Sequence, residues 1–275
     1  MCSMEIKPTG NSKTRAYKGQ KNTFGFLPGN GMWHNEIRGT CPGATTGENG
    51  CWGIKAGRKC ATCYVAGIIA AYPGVYPVLK HNTEMAWNED AFMALTNEFF
   101  RFKAAERKRQ EAGKTWSLNY RIHWSGDCPD ESYVDALYSA MALHKDITFW
   151  MYTRSMFAVE LLSKLPNIRL YISLDPENFD EGMSTYTEHK NNDNLRVCYM
   201  SPVNDFTERL ARYAVKFVGQ NAVREMIGAK HKPASLLDIK PVACPADAGK
   251  ADTDGCCHKC RMCFADKEKH IWFKS

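Results

Sequence analysis

Apolar residues recur along this chain at two spacings, and the order in which the spacings alternate predicts the architecture. WSLNYRIHWSGD, ITFWMYTRS, NIRLYISLD and NLRVCYMSP are rich in β-branched and aromatic residues and read as strands. SYVDALYSAMALHK and FAVELLSKL lie between them with apolar residues at helical spacing, whereas the stretch between the last two strands reads as a polar connection. FTERLARYAVKFVGQNAVREMIG then reads as a helix and SLLDIKPVA as the last strand. Nearer the start, KNTFGFLPG is a short strand ending at a Pro-Gly turn. Tyr64 to Glu111 is helical with a break at Pro73 to Pro77. Within it Phe92, Leu95, Phe99 and Phe102 form a core-facing stripe on an amphipathic helix, Asn88 to Gln110.

Strands alternating with helices predict β-α-β units and a parallel sheet. Four successive strands end in polar groups: Ser125-Gly126-Asp127, Thr153-Arg154-Ser155, Ser173-Leu174-Asp175 and Ser201-Pro202. Convergence of such groups at carboxyl ends is the arrangement of a β/α barrel of the TIM type. About six strands are countable where a complete barrel has eight, so the barrel is expected to be incomplete or irregular. The expected organisation is a flexible basic arm over residues 1–20 and a single barrel-like domain over 21–275.

Cysteine usage changes this picture most. Nine of the twelve cysteines fall in two runs, 41–63 and 244–263, that interrupt the barrel pattern near its two ends. The first holds Cys41, Cys51, Cys60 and Cys63; the second holds Cys244, Cys256, Cys257, Cys260 and Cys263. Thiolates at C-x2-C spacing grip one metal from a single turn. A disulfide scaffold is the weaker reading, because a chain of 275 residues with 44% hydrophobic composition buries a core without staples. The expected ligands are Cys41, Cys51, Cys60, Cys63, Cys244, Cys257, Cys260 and Cys263, holding Zn2+ or, alternatively, a [4Fe-4S] cluster. Cys256, Cys260 and Cys263 also read as C-x3-C-x2-C, the spacing of radical enzymes that bind S-adenosylmethionine; after the first strand the intervals are instead nine, eight and two residues. The lone Cys2, Cys128 and Cys198 read as small buried apolar residues.

Thirty-six Lys and Arg against thirty Asp and Glu give +6, a mild excess that permits a phosphate-bearing partner without requiring one. No apolar run reaches membrane-spanning length, mean hydropathy is −0.44, and the first 21 residues lack the apolar stretch of a signal peptide, so a cytoplasmic protein without membrane contact is expected.

Candidate chemistry lies at the strand ends. Asp127, after Gly126, projects from a tight turn, and Asp175 repeats the theme on another strand; two such carboxylates divide nucleophile, acid and base roles when their environments push their pKa values apart. Arg154 is a clamp for carboxylate or phosphate, with His123, Ser125 and Glu177 beside it as candidate substrate contacts. Asp130 reads as the cap of the helix that follows.

The ordered motifs CPGAT…CATCYVAG, RIHWSGD…YVDAL, FWMYTRS, LYISLDPEN and CPADAGK…CCHKCRMCF resemble the phage family called gene product 88, over roughly residues 22 to 265. The architecture also resembles the barrel of tRNA-guanine transglycosylases, and with it the phage DpdA group. The second resemblance implies a transglycosylase that exchanges guanine for a 7-deazaguanine base in DNA, with Asp127 or Asp175 attacking the sugar carbon and the target nucleotide flipped from the stack. The alternatives are an iron–sulfur enzyme of the radical type and a zinc-stapled nucleic-acid-binding protein.

Overall fold

The computed structural model describes residues 5–10, 14–47, 50–53, 63–200, 208–210, 212–213, 216, 241–244, 260, 263 and 270–273. A two-stranded antiparallel hairpin, β1 (Met32–Trp33) and β2 (Ile37–Arg38), precedes three helices, α1 (Tyr64–Ala71), α2 (Val75–Ala86) and α3 (Ala91–Glu111). The main sheet then builds up through β3 (Asn119–Ile122), α4 (Glu131–Leu143), β4 (Thr148–Thr153), α5 (Phe157–Leu162), β5 (Ile168–Leu174), α6 (Phe179–His189) and β6 (Leu195–Met200). It is completed by β7 (Pro241–Ala243) and β8 (His270–Phe273). The strand order is β3-β4-β5-β6-β8-β7, and every pairing in it is parallel. Segment 22–26 extends the sheet beyond β3. The Arg121 amide donates to the Asn22 carbonyl, the Trp124 amide to Phe24, and the Phe26 amide to Ser125, each at 2.9 Å.

Alternation along the strands gives the sheet two different faces. Tyr120, Ile122, Phe149, Met151, Ile172, Leu174, Val197 and Tyr199 point to one side, where Phe99, Leu137, Met141, Val159 and Met183 of the helices close a single large core. In register on the other side stand Arg121, Trp150, Tyr152, Arg169, Tyr171, Arg196 and Cys198. That face is polar and aromatic. Its apolar part is a separate small cluster of Trp150, Tyr171, Cys198, Cys263 and Ile271, flanked by Tyr152, Cys244 and Phe273.

The sheet nevertheless does not close into the expected barrel among the described residues. β7, expected as the last strand, is followed by β8, which enters between β6 and β7 and leaves β7 at the edge instead of carrying the sheet around. The connection between β5 and β6, read from the sequence as polar, is helix α6. Phe179, Met183 and Tyr186 supply its buried stripe, and Gly182 lets it lie directly against Leu174 and Ile172. Few apolar residues and a glycine hide this helix from the sequence pattern.

The segment expected to be a free basic arm is tethered where it is described. Ile6 is buried, the Lys7 amide donates to Asn82 Oδ1 at 2.8 Å, and the Tyr17 hydroxyl donates to Glu106 at 2.5 Å. Among the described residues no helix is long and apolar enough to cross a membrane.

Candidate functional site

The described start of the first cysteine run, residues 41–47 and 50–53, is laid across the carboxyl ends of β3, β4 and β5. Its approach begins at Thr40, whose amide donates to the Leu27 carbonyl and whose Oγ1 accepts from the Asp127 amide at 3.2 Å. Gly126, with φ of +78°, makes the turn that brings Asp127 there. A side chain on Gly126 would sit 2.5 Å from Thr40 Oγ1 and 2.7 Å from Phe26 Cβ. Gly43 then passes directly over the Arg154 backbone, closer than any Cβ would permit.

Asp127 is buried and its carboxylate is fully engaged. Oδ1 accepts from Thr153 Oγ1 at 2.7 Å and from the Cys128 amide at 2.8 Å, while Oδ2 accepts from the Arg154 amide at 2.6 Å. Burial raises its pKa, and these three hydrogen bonds and the Arg154 charge oppose the rise without cancelling it. The residue thus ties the end of β3 to the end of β4.

Asp175 performs the same office one strand further on, for the cysteine loop itself. Its Oδ2 accepts from Thr45 Oγ1 at 2.6 Å, from Arg154 Nη1 at 2.6 Å and from the Cys51 amide at 3.2 Å. Its Oδ1 accepts from the amides of Glu177 at 2.8 Å and Asn178 at 3.2 Å. Burial works to raise its pKa, but the Arg154 guanidinium and the donated hydrogen bonds hold it below the ordinary carboxylate value. Glu177 adds another anchor, since its Oε2 accepts from the Gly47 amide at 2.9 Å. Glu177 therefore contacts the loop that carries Cys51.

His123 and Ser125 serve the edge of the sheet. His123 Nε2 meets the Tyr133 hydroxyl at 2.7 Å, and its ring sits among Phe24, Phe26 and Tyr133, where burial pushes its pKa down to about 3. Ser125 Oγ donates to the Phe26 carbonyl at 2.7 Å. His123, Asp127 and Cys128 also bring a ring nitrogen, a carboxylate oxygen and a thiol within 4.8 Å of one another. Asp127 carries three hydrogen bonds and His123 Nε2 is held by Tyr133, while His123 Nδ1 is buried with no partner among the described residues. Asp130 caps α4 as expected, accepting from the Tyr133 amide at 2.8 Å.

The thiols gather at two places. Cys41, Cys51 and Cys63 lie within electrostatic reach of one another, and burial raises the pKa of Cys41 and Cys63. Asp127 adds to the rise at Cys41. Cys63 stands directly before α1, its carbonyl accepting from the Ala66 amide at 3.1 Å. On the polar sheet face, Cys263 lies within reach of Cys244 and Cys260, and its Sγ accepts from the Tyr152 hydroxyl at 3.1 Å. Burial pushes the Cys263 and Cys198 thiols up to about 12. Cys128 and Cys198 are buried as expected. Cys60 and Cys257, the other two expected ligands, lie outside the described residues, as do Cys2 and Cys256.

Between the two thiol groups stand the arginines. Arg154 is almost wholly buried; burial works to lower its pKa, but the Cys51 thiol and the Asp175 carboxylate outweigh that and hold it up. Arg121, which sequence reasoning missed, lies over the rings of Trp150 and Tyr152 at 5.2 and 5.5 Å from their centroids. Its signal was present: in NYRI it alternates with the core residues Tyr120 and Ile122, which puts a cation on the opposite face of a strand. Thr40 and Thr45 were missed too, because a threonine carries no chemical signature until its partner is known.

Gene 88 proteins of the Mycobacterium phages L5 and D29 are each 30% identical to this chain over 167 residues, a match that covers 59% of the chain and 60% of either relative. No solved structure matches it. The family model described as Gene product 88 matches residues 4–266, so the chain belongs to the gene product 88 family.

Proposed function

We propose that this protein is an enzyme whose first cysteine run holds an iron–sulfur cluster at the carboxyl end of the parallel sheet, beside a substrate site on the polar face. One observation carries the reading: a single Asp175 oxygen accepts from Arg154, Thr45 and the Cys51 amide together. Of the carboxylates that a hydrolytic or transfer mechanism would leave free, Asp175 is committed to the loop that carries Cys51 and Asp127 to the strand ends.

The residues fit a thiolate-bound group. Cys41, Cys51 and Cys63 are neighbours, Cys60 belongs to the same run, and Arg154 supplies positive charge next to Cys51. The ordinary pKa of such thiols rises on burial, so ligation must take their protons. A single tetrahedral zinc would draw its sulfurs to about 3.8 Å of one another, given Zn–S bonds of about 2.3 Å. A cluster instead holds its thiolates on separate iron atoms, so the two metals ask for different thiol spacings. When bound, a cluster supplies one-electron chemistry. Around it, the chain's own residues hold and shield: Asp175 and Glu177 fix the loop, Asp127 joins the strand ends, and Tyr152 donates to a thiol of the second set.

A second reading, guanine exchange in DNA with zinc as the metal, draws on the opposed pKa shifts of Asp127 and Asp175, the split that a nucleophile and an acid–base partner need. Its Asp127 would have to shed Thr153 and the Arg154 amide before attacking a sugar carbon.

Anaerobic purification separates the two. The cluster reading expects a brown protein with absorbance near about 400 nm and matching iron and sulfide, lost in Cys41→Ser, Cys51→Ser and Cys63→Ser. A colourless protein carrying only zinc, with 7-deazaguanine incorporation abolished by Asp127→Asn, would sink it.

A further inference from the structure

Two guanidinium groups on the polar sheet face carry buried N–H groups that have no acceptor among the described residues: Arg121 Nε and Arg154 Nη2. Arg121 comes from β3 and Arg154 from the end of β4, and the pairing of Arg121 with Trp150 puts both on the face that bears Tyr152. Both lie within electrostatic reach of the Cys198 thiol. Arg154 is the more deeply placed, its side chain only 9% exposed, with Nη1 fixed on Asp175 at 2.6 Å. Arg121 is held from below by the rings of Trp150 and Tyr152 and lies beside Tyr64, whose hydroxyl donates to the Trp124 carbonyl at 2.5 Å.

Two other cations of this face point away from this end of the sheet. Arg169 donates to the carbonyl of Ile168 at 2.9 Å, and Arg196 to that of Leu195 at 2.7 Å, both at the amino end of the sheet. The carboxylate at the other end, Asp175, is saturated by five donors. A buried guanidinium N–H without an acceptor is costly, and planar donors in pairs match the oxygens of a carboxylate or phosphate.

We infer that Arg121 and Arg154 form a subsite for the oxyanion of a ligand, a carboxylate or a phosphate, seated on the polar face between the two thiol sets. The inference stands whichever metal the thiols hold. Its competitor is that the two arginines serve only as counter-charges to a thiolate-bound metal group, which requires no further anion.

Calorimetric titration of the full-length, anaerobically purified protein at low ionic strength, with inorganic pyrophosphate and with citrate, decides between them. The subsite predicts saturable binding of at least one probe, and the preferred probe tells phosphate from carboxylate. Arg121→Gln should weaken that binding by about tenfold or more while leaving metal content unchanged, the loss expected for a charge-assisted hydrogen bond. Arg121→Lys, which keeps the charge but loses the fork, should also weaken it and carries the test if the glutamine variant does not fold. Absence of binding by either probe overturns the subsite. So does equal affinity in wild type and variants, and loss of metal in Arg121→Gln with affinity retained establishes the counter-charge role instead.

Discussion

The Arg154 guanidinium and the Asp175 carboxylate meet at 2.6 Å with side chains only 9% and 3% exposed, joining the ends of β4 and β5 directly beneath the loop that carries Cys51. An ion pair so deeply placed does little for net stability when intact, but breaking it leaves a buried charge alone.

Asp175→Asn should therefore cost about 3–5 kcal/mol of unfolding free energy, the range for removing one partner of a buried pair. Because the same oxygen accepts from Thr45 and the Cys51 amide, the variant should also lose metal from the first thiol set. Urea unfolding together with metal content per chain measures both. An unchanged metal content would remove Asp175 from the placement of the loop.

Thr45→Val isolates the smaller part of that anchor. The substitution keeps shape but removes the hydroxyl that donates to Asp175 and accepts from the Cys51 amide at 2.8 Å. It leaves Cys51 N with Asp175 alone, so a loss of about 1–2 kcal/mol is expected. Metal uptake should slow or weaken well before the fold is lost, which chelator competition would show.

Acid should destabilise the protein early. His123 and His270 are buried with folded-state pKa values pushed down to about 3 from an ordinary 6.5. The unfolded chain takes up these two protons as pH falls below about 6.5, whereas the native state refuses them until about 3, so stability present above 6.5 is lost across that window. The expected slope is about 1.4 kcal/mol per pH unit for each histidine, and His123→Phe should remove one such increment. Denaturation midpoints between pH 7 and pH 4 test it; identical slopes for variant and wild type would refute the assignment to His123.

Gly126→Ala should destabilise by about 1 kcal/mol or more, since the turn has φ of +78° and the new methyl meets Thr40 and Phe26. The damage should spread to the cysteine run, because Thr40 begins it. Thermal melting and metal content report the two effects, and a neutral result would mean that the Asp127 turn adapts freely.

What could be read in advance follows from what each signal encodes. β4 and β5 were legible because buried parallel strands demand continuous apolar runs, and ITFWMYT and IRLYISL supply them. The polar residues at their ends were equally visible as a group. Their roles were not, because Asp175 reads the same whether it faces a substrate or the amide of Cys51, 124 residues earlier in the chain. Helix α6 was missed since three buried residues and Gly182 carry its packing. The expectation of a barrel, already incomplete or irregular on the strand count, misses the strand order for another reason: local pattern fixes strands, but nothing local says that the segment His270–Phe273 enters between β6 and β7.

That interposition makes the last strand a keystone in time as well as in space. Among the described residues β7 pairs into the sheet through β8 alone, and the second cysteine run lies in the chain that joins those two neighbours. Cys244 follows β7 directly and precedes β8 by 26 residues, so during synthesis it emerges before the strand that pairs β7 into the sheet. Trimming those few residues would release a strand and a thiol group together, far out of proportion to the length removed.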